Sequence, residues 1–221
     1  MILVKDAKVS FDSQIALNVK TLAIARGAKI AVTGESGSGK STLLHILCGL
    51  ERIDEGEVRW DEVVISDLGE LKRDRFRGEK IGLIAQDFYL YYGLSAIENA
   101  LLPASFRFWR VPKSLKARAL YLLERLGVKA DQSAHTLSRG EKQRTAIARA
   151  LLCKPQAIIA DEPTASLDAS AATEAIDALL ELCEENGCTL ICATHDKKLI
   201  ARMGRTLELK KGEAIEALFP C

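Results

Sequence analysis

Short runs of consecutive apolar residues recur along the chain, separated by longer stretches with apolar residues at helical spacing. These runs form the predicted strands at 29–33, where the apolar run itself begins at Ile30, and at 81–85, 157–160 and 189–193. A short apolar run bounded by turn residues is typical of a strand that is buried on both faces, as in a parallel sheet. The segments 114–126 and 169–186 between them have the pattern of amphipathic helices, closed by Gly127 and Gly187. This alternation predicts an α/β fold around a parallel sheet.

The flanking segments have a different pattern. Residues 2–11 and 15–24 alternate partially between apolar and polar positions, and 57–65 predicts a short hairpin through Asp61-Glu62. These strands predict an N-terminal antiparallel β subdomain. A helix is expected over 40–50, and the mixed charges of 72–77 predict a solvated helix face. The segments 205–209 and 213–218, around Lys211-Gly212, predict a terminal hairpin.

The first buried run leads directly into a glycine-rich loop. Residues 34–41 read G-E-S-G-S-G-K-S between a predicted strand and a predicted helix, which is the context of a phosphate-binding P-loop. Glycines let the backbone N–H groups point at a polyphosphate, and the helix adds the positive end of its dipole. Lys40 is expected to reach the β- and γ-phosphates, and Ser41 to bind Mg²⁺. The predicted nucleotide-binding residues of this segment are Gly34, Ser36, Gly37, Ser38, Gly39, Lys40, Ser41 and Thr42.

Carboxylates and a histidine follow two other buried runs. Asp161 and Glu162 end the run at 157–160, and His195 comes shortly after 189–193. An α/β sheet holds its ligand at the carboxyl ends of its strands. After a P-loop, the first acid can hold the Mg²⁺ shell and the second can polarise water, so we expect Asp161 and Glu162 in these roles. His195 is expected at the same edge, which favours a functional role over a structural one.

Two further segments stand out. Ser138, followed three residues later by Glu141, predicts a capping box at the start of a helix that runs to Cys153.

Residues 87–109 hold seven of the chain's twelve aromatic residues. Such a density is typical of a docking surface, but it would equally suit rings that pack a helical subdomain. The residues alone leave both interpretations open.

Composition excludes several classes of protein. With 221 residues, of which 48% are hydrophobic, the chain can form one domain with a proper core. A net charge of +1 provides no general electrostatic attraction for nucleic acid. No apolar run approaches the roughly 18 residues of a membrane span, so any membrane is expected to be reached through a partner. The six cysteines have no metal-ligand spacing and are interpreted as reduced core thiols of a cytosolic protein; they are Cys48, Cys153, Cys183, Cys188, Cys192 and Cys221.

In this order, the motifs resemble those of the nucleotide-binding subunit of an ABC (ATP-binding cassette) ATPase, over essentially the whole chain. The matching elements are the P-loop 34–41, the Q-loop Gln86, the signature 137–141, the acidic motif 158–162, the D-loop 166–168 and the switch His195. The resemblance implies a single cassette over 1–221. It also implies a P-loop core with a parallel sheet, into which a helical signature subdomain is inserted over approximately 87–153.

The resemblance also implies roles for individual residues. Phe11 falls where the family has an aromatic ring that stacks on adenine. Two copies are expected to assemble head to tail, so that ATP on one P-loop meets Ser138 and Gly140 of the other copy. Gln86 would join the Mg²⁺ shell and connect the nucleotide to the partner. In the family, the glutamate at the position of Glu162 positions or deprotonates the attacking water. The histidine at the position of His195 stabilises the γ-phosphate, and the aspartate at the position of Asp168 reaches across the dimer.

One position departs from the family pattern. The signature usually has two glycines, and here Arg139 replaces the first. A bulky cation next to the opposite γ-phosphate would either aid binding or hinder close approach. Because Ser138, Gly140, Glu162 and His195 are present, we expect the substitution to be tolerated.

The resemblance implies an ATP-hydrolysing subunit on the cytoplasmic face of the cell membrane that powers a separate permease. The short chain, residues 86–90 and the ending 200–203 resemble the lipoprotein-release, macrolide-export and cell-division group. In the family the segment after Gln86 receives the permease, which favours the docking interpretation of the aromatic residues. The alternatives are an import-type ABC ATPase, or a soluble ABC ATPase that acts on DNA or ribosomes. The last usually carries coiled-coil insertions or two cassettes, neither of which this chain has, so no nucleic-acid partner is expected.

Overall fold

A computed structural model describes residues 1–12 and 14–219, with side chains as far as residue 214. The strands are β1 (Ile2–Phe11), β2 (Gln14–Ile24), β3 (Lys29–Thr33), β4 (Glu55–Trp60), β5 (Val63–Val64), β6 (Ile81–Ile84), β7 (Ala157–Asp161), β8 (Thr189–Ala193), β9 (Thr206–Glu208) and β10 (Glu213–Phe219). The helices are α1 (Lys40–Leu47), α2 (Glu70–Lys80), α3 (Ala96–Ser105), α4 (Lys113–Arg125), α5 (Arg139–Leu151), α6 (Ala169–Glu185) and α7 (Lys197–Met203). A 3₁₀ turn spans Ile65–Asp67.

The central sheet is parallel and has the order β6-β7-β8-β3-β9. Every residue of β8 is buried, and β3 is buried over its three central residues, as expected for strands covered on both faces. The carboxyl ends of β3, β6, β7 and β8 lead to the P-loop, Gln86, Glu162 and His195, respectively. The parallel arrangement therefore brings these four segments to one edge of the sheet.

The second sheet has the order β10-β2-β1-β4-β5. Strands β1, β2, β4 and β5 are mutually antiparallel, whereas β10 joins β2 in parallel. Val4, Leu17, Val19 and Leu22 of this sheet are fully buried, and they share one hydrophobic cluster with residues of α1 and the central sheet. The predicted α/β fold, with its parallel core and antiparallel N-terminal subdomain, is confirmed.

The predicted terminal hairpin is wrong. Strand β9 pairs with β3 in the parallel sheet, with Val32 opposite Leu207, and β10 pairs with β2 in the other sheet, with Val19 opposite Ala214. Only an isolated bridge between Lys210 and Glu213 remains of the expected turn. The turn-forming pair Lys211-Gly212 correctly predicts a reversal of the chain, but the two strands find their partners in different sheets.

Helices α3, α4 and α5 pack against one another between β6 and β7 in the chain. Ala119, Leu122 and Leu123 of α4 are fully buried in the cluster that also contains Ile147 and Leu151 of α5. Helix α5 also lies against β6 at Gly82, where an added Cβ would stand 2.4 Å from the Ala150 carbonyl oxygen. The boundaries of the helical subdomain at 87–153 stay a prediction.

Three further elements differ from the expected ones. Helix α1 ends at Leu47, because Gly49 has φ +65° and the chain turns there. The charged face of α2 is not wholly solvated, since Arg73 is buried and pairs with Glu70. Helix α7 was not predicted; it begins at Asp196, whose carboxylate accepts the N–H groups of Lys198 and Leu199.

The cysteine thiols in the described part of the chain are free. Burial raises the pKa of Cys48 to about 11 and that of Cys183 to about 12, so these thiols stay protonated at neutral pH. Cys221 lies outside the described residues. Among the residues described, no helix combines the length and the apolar character needed to cross a bilayer.

Candidate nucleotide-binding and hydrolysis site

The P-loop between β3 and α1 is shaped by glycines that no other residue would replace without strain. Gly34 has φ +145°, and a Cβ there would lie 2.3 Å from the carbonyl oxygen of Leu209. Gly39 precedes α1 with φ +94°, and its Cβ would lie 2.8 Å from the carbonyl oxygen of Ala16. The loop is therefore pressed against neighbouring backbone, and its glycines permit the conformation that a phosphate cradle requires.

Two polar side chains of this loop are buried. The Lys40 ammonium donates to the carbonyl oxygens of Gly34 and Glu35, each at 2.9 Å, so it reaches back across the loop. The Ser38 hydroxyl is buried and lacks a hydrogen-bond partner among the described residues. A cation and a hydroxyl group enclosed by a glycine loop at a helix N-terminus suit a polyphosphate.

A cavity of about 880 Å³ opens beside this loop. Within the described chain it brings together the predicted site residues Phe11, Ser36, Gly37, Gly39, Lys40, Ser41, Thr42, Gln86, Asp161, Glu162 and His195. The other predicted residues, Gly34, Ser38, Ser138, Gly140 and Asp168, do not line it. The first two lie within the P-loop backbone, and the last three belong to α5 and the start of α6.

Glu162 and His195 face each other across the cavity edge. His195 Nε2 lies 3.4 Å from Glu162 Oε1, with the histidine largely exposed and the glutamate largely covered. The backbone of Glu162 has φ +45°, a conformation that residues other than Gly rarely adopt. Its backbone N–H donates to the Ala193 carbonyl oxygen. Strain of this kind is concentrated at functional sites, because the surrounding structure must enforce it. The acid is thereby held beside the histidine.

The oxygen ligands available to a metal fit Mg²⁺. Ser41 supplies a hydroxyl group, Asp161 a carboxylate and Gln86 an amide oxygen, and all three line the same cavity. Among the described residues, no cluster of three acids, histidines or cysteines forms a metal cage. Mg²⁺ is usually held by one or two carboxylates together with substrate phosphates, so this sparse set suits a metal that arrives with a nucleotide.

The aromatic side chain expected to contact a base is accessible. Phe11 ends β1, lines the cavity and is 49% exposed. An exposed ring at the mouth of a phosphate-binding cavity can stack on a base, because stacking needs one free face. The geometry therefore favours base contact over a role in the core.

The signature segment forms a second, separate feature. Ser138 caps α5 and accepts from the N–H of Glu141, while Glu141 accepts from the N–H of Ser138 at 2.8 Å; this bond lowers the pKa of the Glu141 carboxyl group. Gly140 is buried, and a Cβ there would stand 3.1 Å from Ala171 Cβ on α6. The predicted capping box is confirmed, and the glycine allows α5 and α6 to approach closely.

The D-loop adjoins the signature in the same chain. The Arg139 guanidinium donates to the Ser166 carbonyl oxygen at 3.3 Å. Asp168 caps α6 by accepting from the N–H groups of Ala171 and Ser170, which lowers the pKa of its carboxyl group. The unusual arginine of the signature therefore contacts the D-loop within its own chain.

The aromatic segment after Gln86 is mostly exposed. Phe88 packs on the core, whereas the large exposed rings are Tyr89, Tyr91, Tyr92, Phe106, Phe108 and Trp109. This exposure favours the docking interpretation. A second cavity, of about 480 Å³, lies between α1, Gln86 and Tyr89.

Several residues of the site were not predicted. Arg149 of α5 donates to the carbonyl oxygens of Phe88 at 2.7 Å and Tyr89 at 2.6 Å, which ties the segment after Gln86 to the signature helix. Burial lowers the pKa of Arg149. Thr164 lines the cavity. No local pattern identifies Arg149 or Thr164 as site residues. Asp196 also lines the cavity, and its position before two lysines and an apolar pair is a helix-start signal that the sequence does contain.

The fold and the cavity define a P-loop nucleotide-binding protein of the α/β class. The family described as ABC transporter matches residues 17–165. The chain is 44% identical over 190 residues to the lipoprotein-releasing system ATP-binding protein LolD of Hydrogenovibrio crunogenus, covering 85% of this chain and 82% of that protein. It is 42% identical over 197 residues to the uncharacterized ABC transporter ATP-binding protein YbbA of Escherichia coli K12, covering 88% and 86%.

The solved structures that this chain resembles are also ABC transporter cassettes. The dimeric structure of MJ0796, a bacterial ABC transporter cassette, has a TM-score of 0.87 and 36% identity, covering 97% of this chain and 96% of that one. A dimeric post-hydrolysis state of the same cassette bound to ADP and Pi has a TM-score of 0.86 and 35% identity, with the same coverage. The chain belongs to the ABC transporter family. These comparisons confirm the predicted family, and with it the assignment to the ATP-hydrolysing subunits of ABC transporters.

Proposed function

We propose that this chain is the ATPase subunit of a transport machine that moves or releases its cargo through a separate membrane permease. Each half of the site is built by this chain, but the signature residues lie outside the chain's own cavity. One cavity combines the P-loop with Asp161, Glu162 and His195, whereas Ser138 and Gly140 at the start of the signature helix do not line it. This separation is the observation that carries the proposal, because a second copy, placed head to tail, would complete each cavity.

Binding of ATP follows from the P-loop. Its backbone N–H groups and the Lys40 ammonium would hold the phosphates, and Phe11 would stack on the adenine. Ser41, Asp161 and Gln86 would hold Mg²⁺, which when bound neutralises phosphate charge. The buried hydroxyl of Ser38 and the enclosed ammonium of Lys40 support this assignment.

Hydrolysis needs a group that accepts a proton from water. Glu162, held at the cavity edge, would act as the general base, and His195, 3.4 Å away, would donate a hydrogen bond to the γ-phosphate. The strained backbone at Glu162 keeps the carboxylate in position. The chain thus has its own base and its own γ-phosphate donor.

The partner subunit would add the signature. The first N–H groups of α5 have no partner within the helix, so with the helix dipole they form an anion site that would face the opposite γ-phosphate. Ser138 and Gly140 would contact that phosphate, and Asp168 would reach across the dimer. A nearly complete shift from open to closed needs a differential binding energy of about 5.5 kcal/mol, which two enclosed ATP molecules would supply.

The permease would dock at the exposed tyrosines after Gln86. The cavity of about 480 Å³ beside Tyr89 would accept a short segment of that partner, and Arg149 would pass its movement to the signature helix. Binding of this kind would hold the chain peripherally at the membrane. The names of the LolD relatives support a lipoprotein-releasing machine, and we assign this chain to that type.

The test is the oligomeric state of Glu162→Gln with Mg²⁺-ATP, measured by size-exclusion chromatography with light scattering. We expect this variant to form a stable dimer, whereas the wild type hydrolyses ATP and remains mainly monomeric. Adding Lys40→Ala to Glu162→Gln should abolish the dimer, which controls for nucleotide dependence. An E162Q protein that binds ATP but stays monomeric would contradict head-to-tail closure of two identical chains.

A further inference from the structure

The turn between α3 and α4 projects a cluster of rings and cations. We call Phe106, Arg107, Phe108, Trp109, Arg110 and Lys113 the basic aromatic corner. Trp109 is 100% exposed and Phe106 82% exposed, and Arg110 and Lys113 are exposed as well. Two large rings with no cover are costly in water unless something contacts them.

The charge of this region is one-sided. Residues 99–123 contain five cations and no Asp or Glu. Arg107 is partly neutralised, because it contacts Glu79 at 3.4 Å and the ring of Phe108 at 5.7 Å. In the described part of the chain, Arg110 and Lys113 form no ion pair. The corner therefore presents uncompensated positive charge next to exposed rings.

The corner is distinct from the tyrosines after Gln86. The backbone N–H of Tyr91 donates to Asn99 of α3, which is seven residues and about 10 Å along the helix from Phe106. Tyr92 already packs against His135 and lies 5.0 Å from the Lys142 ammonium, close to the signature. The Tyr92 ring thus contacts the signature region of this chain, whereas the Trp109 and Phe106 rings have no such neighbours among the described aromatic contacts.

We propose that the basic aromatic corner rests on the anionic headgroup surface of the bilayer. Trp and Phe side chains lie at the headgroup level, and Arg and Lys pair with lipid phosphates. A protein partner suits the corner less well, because protein interfaces enclose their aromatic anchors in well-packed pockets, whereas the rings of the corner stand on a projecting turn. Here the rings alternate with cations on a projecting turn. The inference rests on the proposed function in placing the chain beside a membrane.

The chain has a built-in reporter for this contact. Its two tryptophans are Trp109, fully exposed, and Trp60, which is 4% exposed and donates to the Leu47 carbonyl oxygen at 2.8 Å. A blue shift of tryptophan emission on adding vesicles would therefore report on Trp109. The probe is the full chain with vesicles of phosphatidylglycerol and phosphatidylcholine, compared with vesicles of phosphatidylcholine alone.

We expect a blue shift and sedimentation with the anionic vesicles, reversed by high salt. Arg110→Gln with Lys113→Gln should weaken partitioning about 30-fold, since two cations worth about 1 kcal/mol each are removed. The matched control, Lys20→Gln with Lys154→Gln, removes two exposed lysines elsewhere and should bind like the wild type. Trp109→Ala should lose the blue shift and bind more weakly. The inference is overturned if the wild type does not distinguish the two vesicle types, or if the control binds as weakly as the corner variant.

Failure of this inference can be told apart from failure of the proposed function. The corner variant should keep ATP hydrolysis and should still copurify with the permease in lipid-free detergent. If Trp109 becomes shielded only on adding the permease in such detergent, the corner contacts protein and the lipid inference is wrong, while the proposed function stands. If the wild type neither hydrolyses ATP nor copurifies with a permease, the proposed function fails whatever the vesicles show.

Discussion

Gly82 of β6 lies where the signature helix approaches the parallel sheet, and replacing it with alanine gives a sharp test of that packing. The new Cβ would stand 2.4 Å from the Ala150 carbonyl oxygen and 2.5 Å from Ile158 Cδ1. The isoleucine can rotate, but the carbonyl belongs to the helix backbone. Since ordinary contact begins near 3.4 Å, α5 must move away by about 1 Å.

This displacement sets the expected magnitude. Adding a methyl group to a closely packed interior typically costs about 1–3 kcal/mol, so Gly82→Ala should lower the free energy of unfolding by that amount. The same movement shifts the helix that carries Ser138, and misplacement of about 1 Å can cost a site on the order of 100-fold in rate. In the E162Q background, G82A should therefore weaken ATP-dependent dimerisation more than it weakens ATP binding to one chain.

The assay is urea unfolding followed by circular dichroism, with a fluorescent ATP analogue for binding. Gly78→Ala is the matched control, because a Cβ at Gly78 in α2 meets no atom within 4 Å. We expect G78A to be neutral or to stabilise by up to about 1 kcal/mol. If G82A and G78A unfold at the same urea concentration, the reasoning about close approach of α5 is refuted.

Three other variants test the site. Lys40→Ala should lose at least tenfold in ATP affinity by fluorescence titration yet stay folded, and unchanged affinity would contradict its phosphate role. Arg139→Gly should lower kcat/KM for ATP about fivefold, because it removes a hydrogen bond to the D-loop that contributes about 1 kcal/mol. Arg139→Lys should have an intermediate kcat/KM. Equal kcat/KM values for the three proteins would contradict a role for this contact. The pKa of the Glu141 carboxyl group is lowered in the folded state, so its stabilisation is present at neutral pH and is lost progressively as the pH falls through that lowered pKa. Glu141→Gln should accordingly melt earlier than the wild type at pH 7, with a difference that shrinks as the pH falls through the acid range. A constant difference would exclude the capping carboxylate as its cause.

Local sequence patterns were sufficient to predict the bounds of segments that are buried along their whole length or capped by their own residues. The bounds of β3 and β8 agree with the apolar runs, because both strands are enclosed and their sequences change character at each end. The start of α5 was predictable because the capping box, which spans only four residues, provides hydrogen-bond acceptors for the unpaired N–H groups at the helix N-terminus. The convergence of Asp161 with His195 followed from the shared edge of parallel strands.

Contacts between distant segments were not predictable from local sequence. Strand β9 pairs with β3 in one sheet and β10 pairs with β2 in the other, and the turn residues between them do not indicate these partners. The contact of Arg139 with Ser166 depends on how α5 and the D-loop pack, so the sequence identified the departure without its partner. Exposure of the aromatic rings was likewise decided by tertiary packing.

The two final strands have a consequence for biosynthesis. Strands β9 and β10 form outer edges of the two sheets, and Thr206 is 173 residues beyond Thr33. At roughly 5–20 residues per second, the ribosome makes β2 and β3 about 10–35 seconds before these partners emerge. During that time the edges that β9 and β10 later cover carry unpaired N–H and C=O groups, a template for pairing with other chains. We therefore expect mispairing with other chains to be most frequent before β9 and β10 leave the exit tunnel.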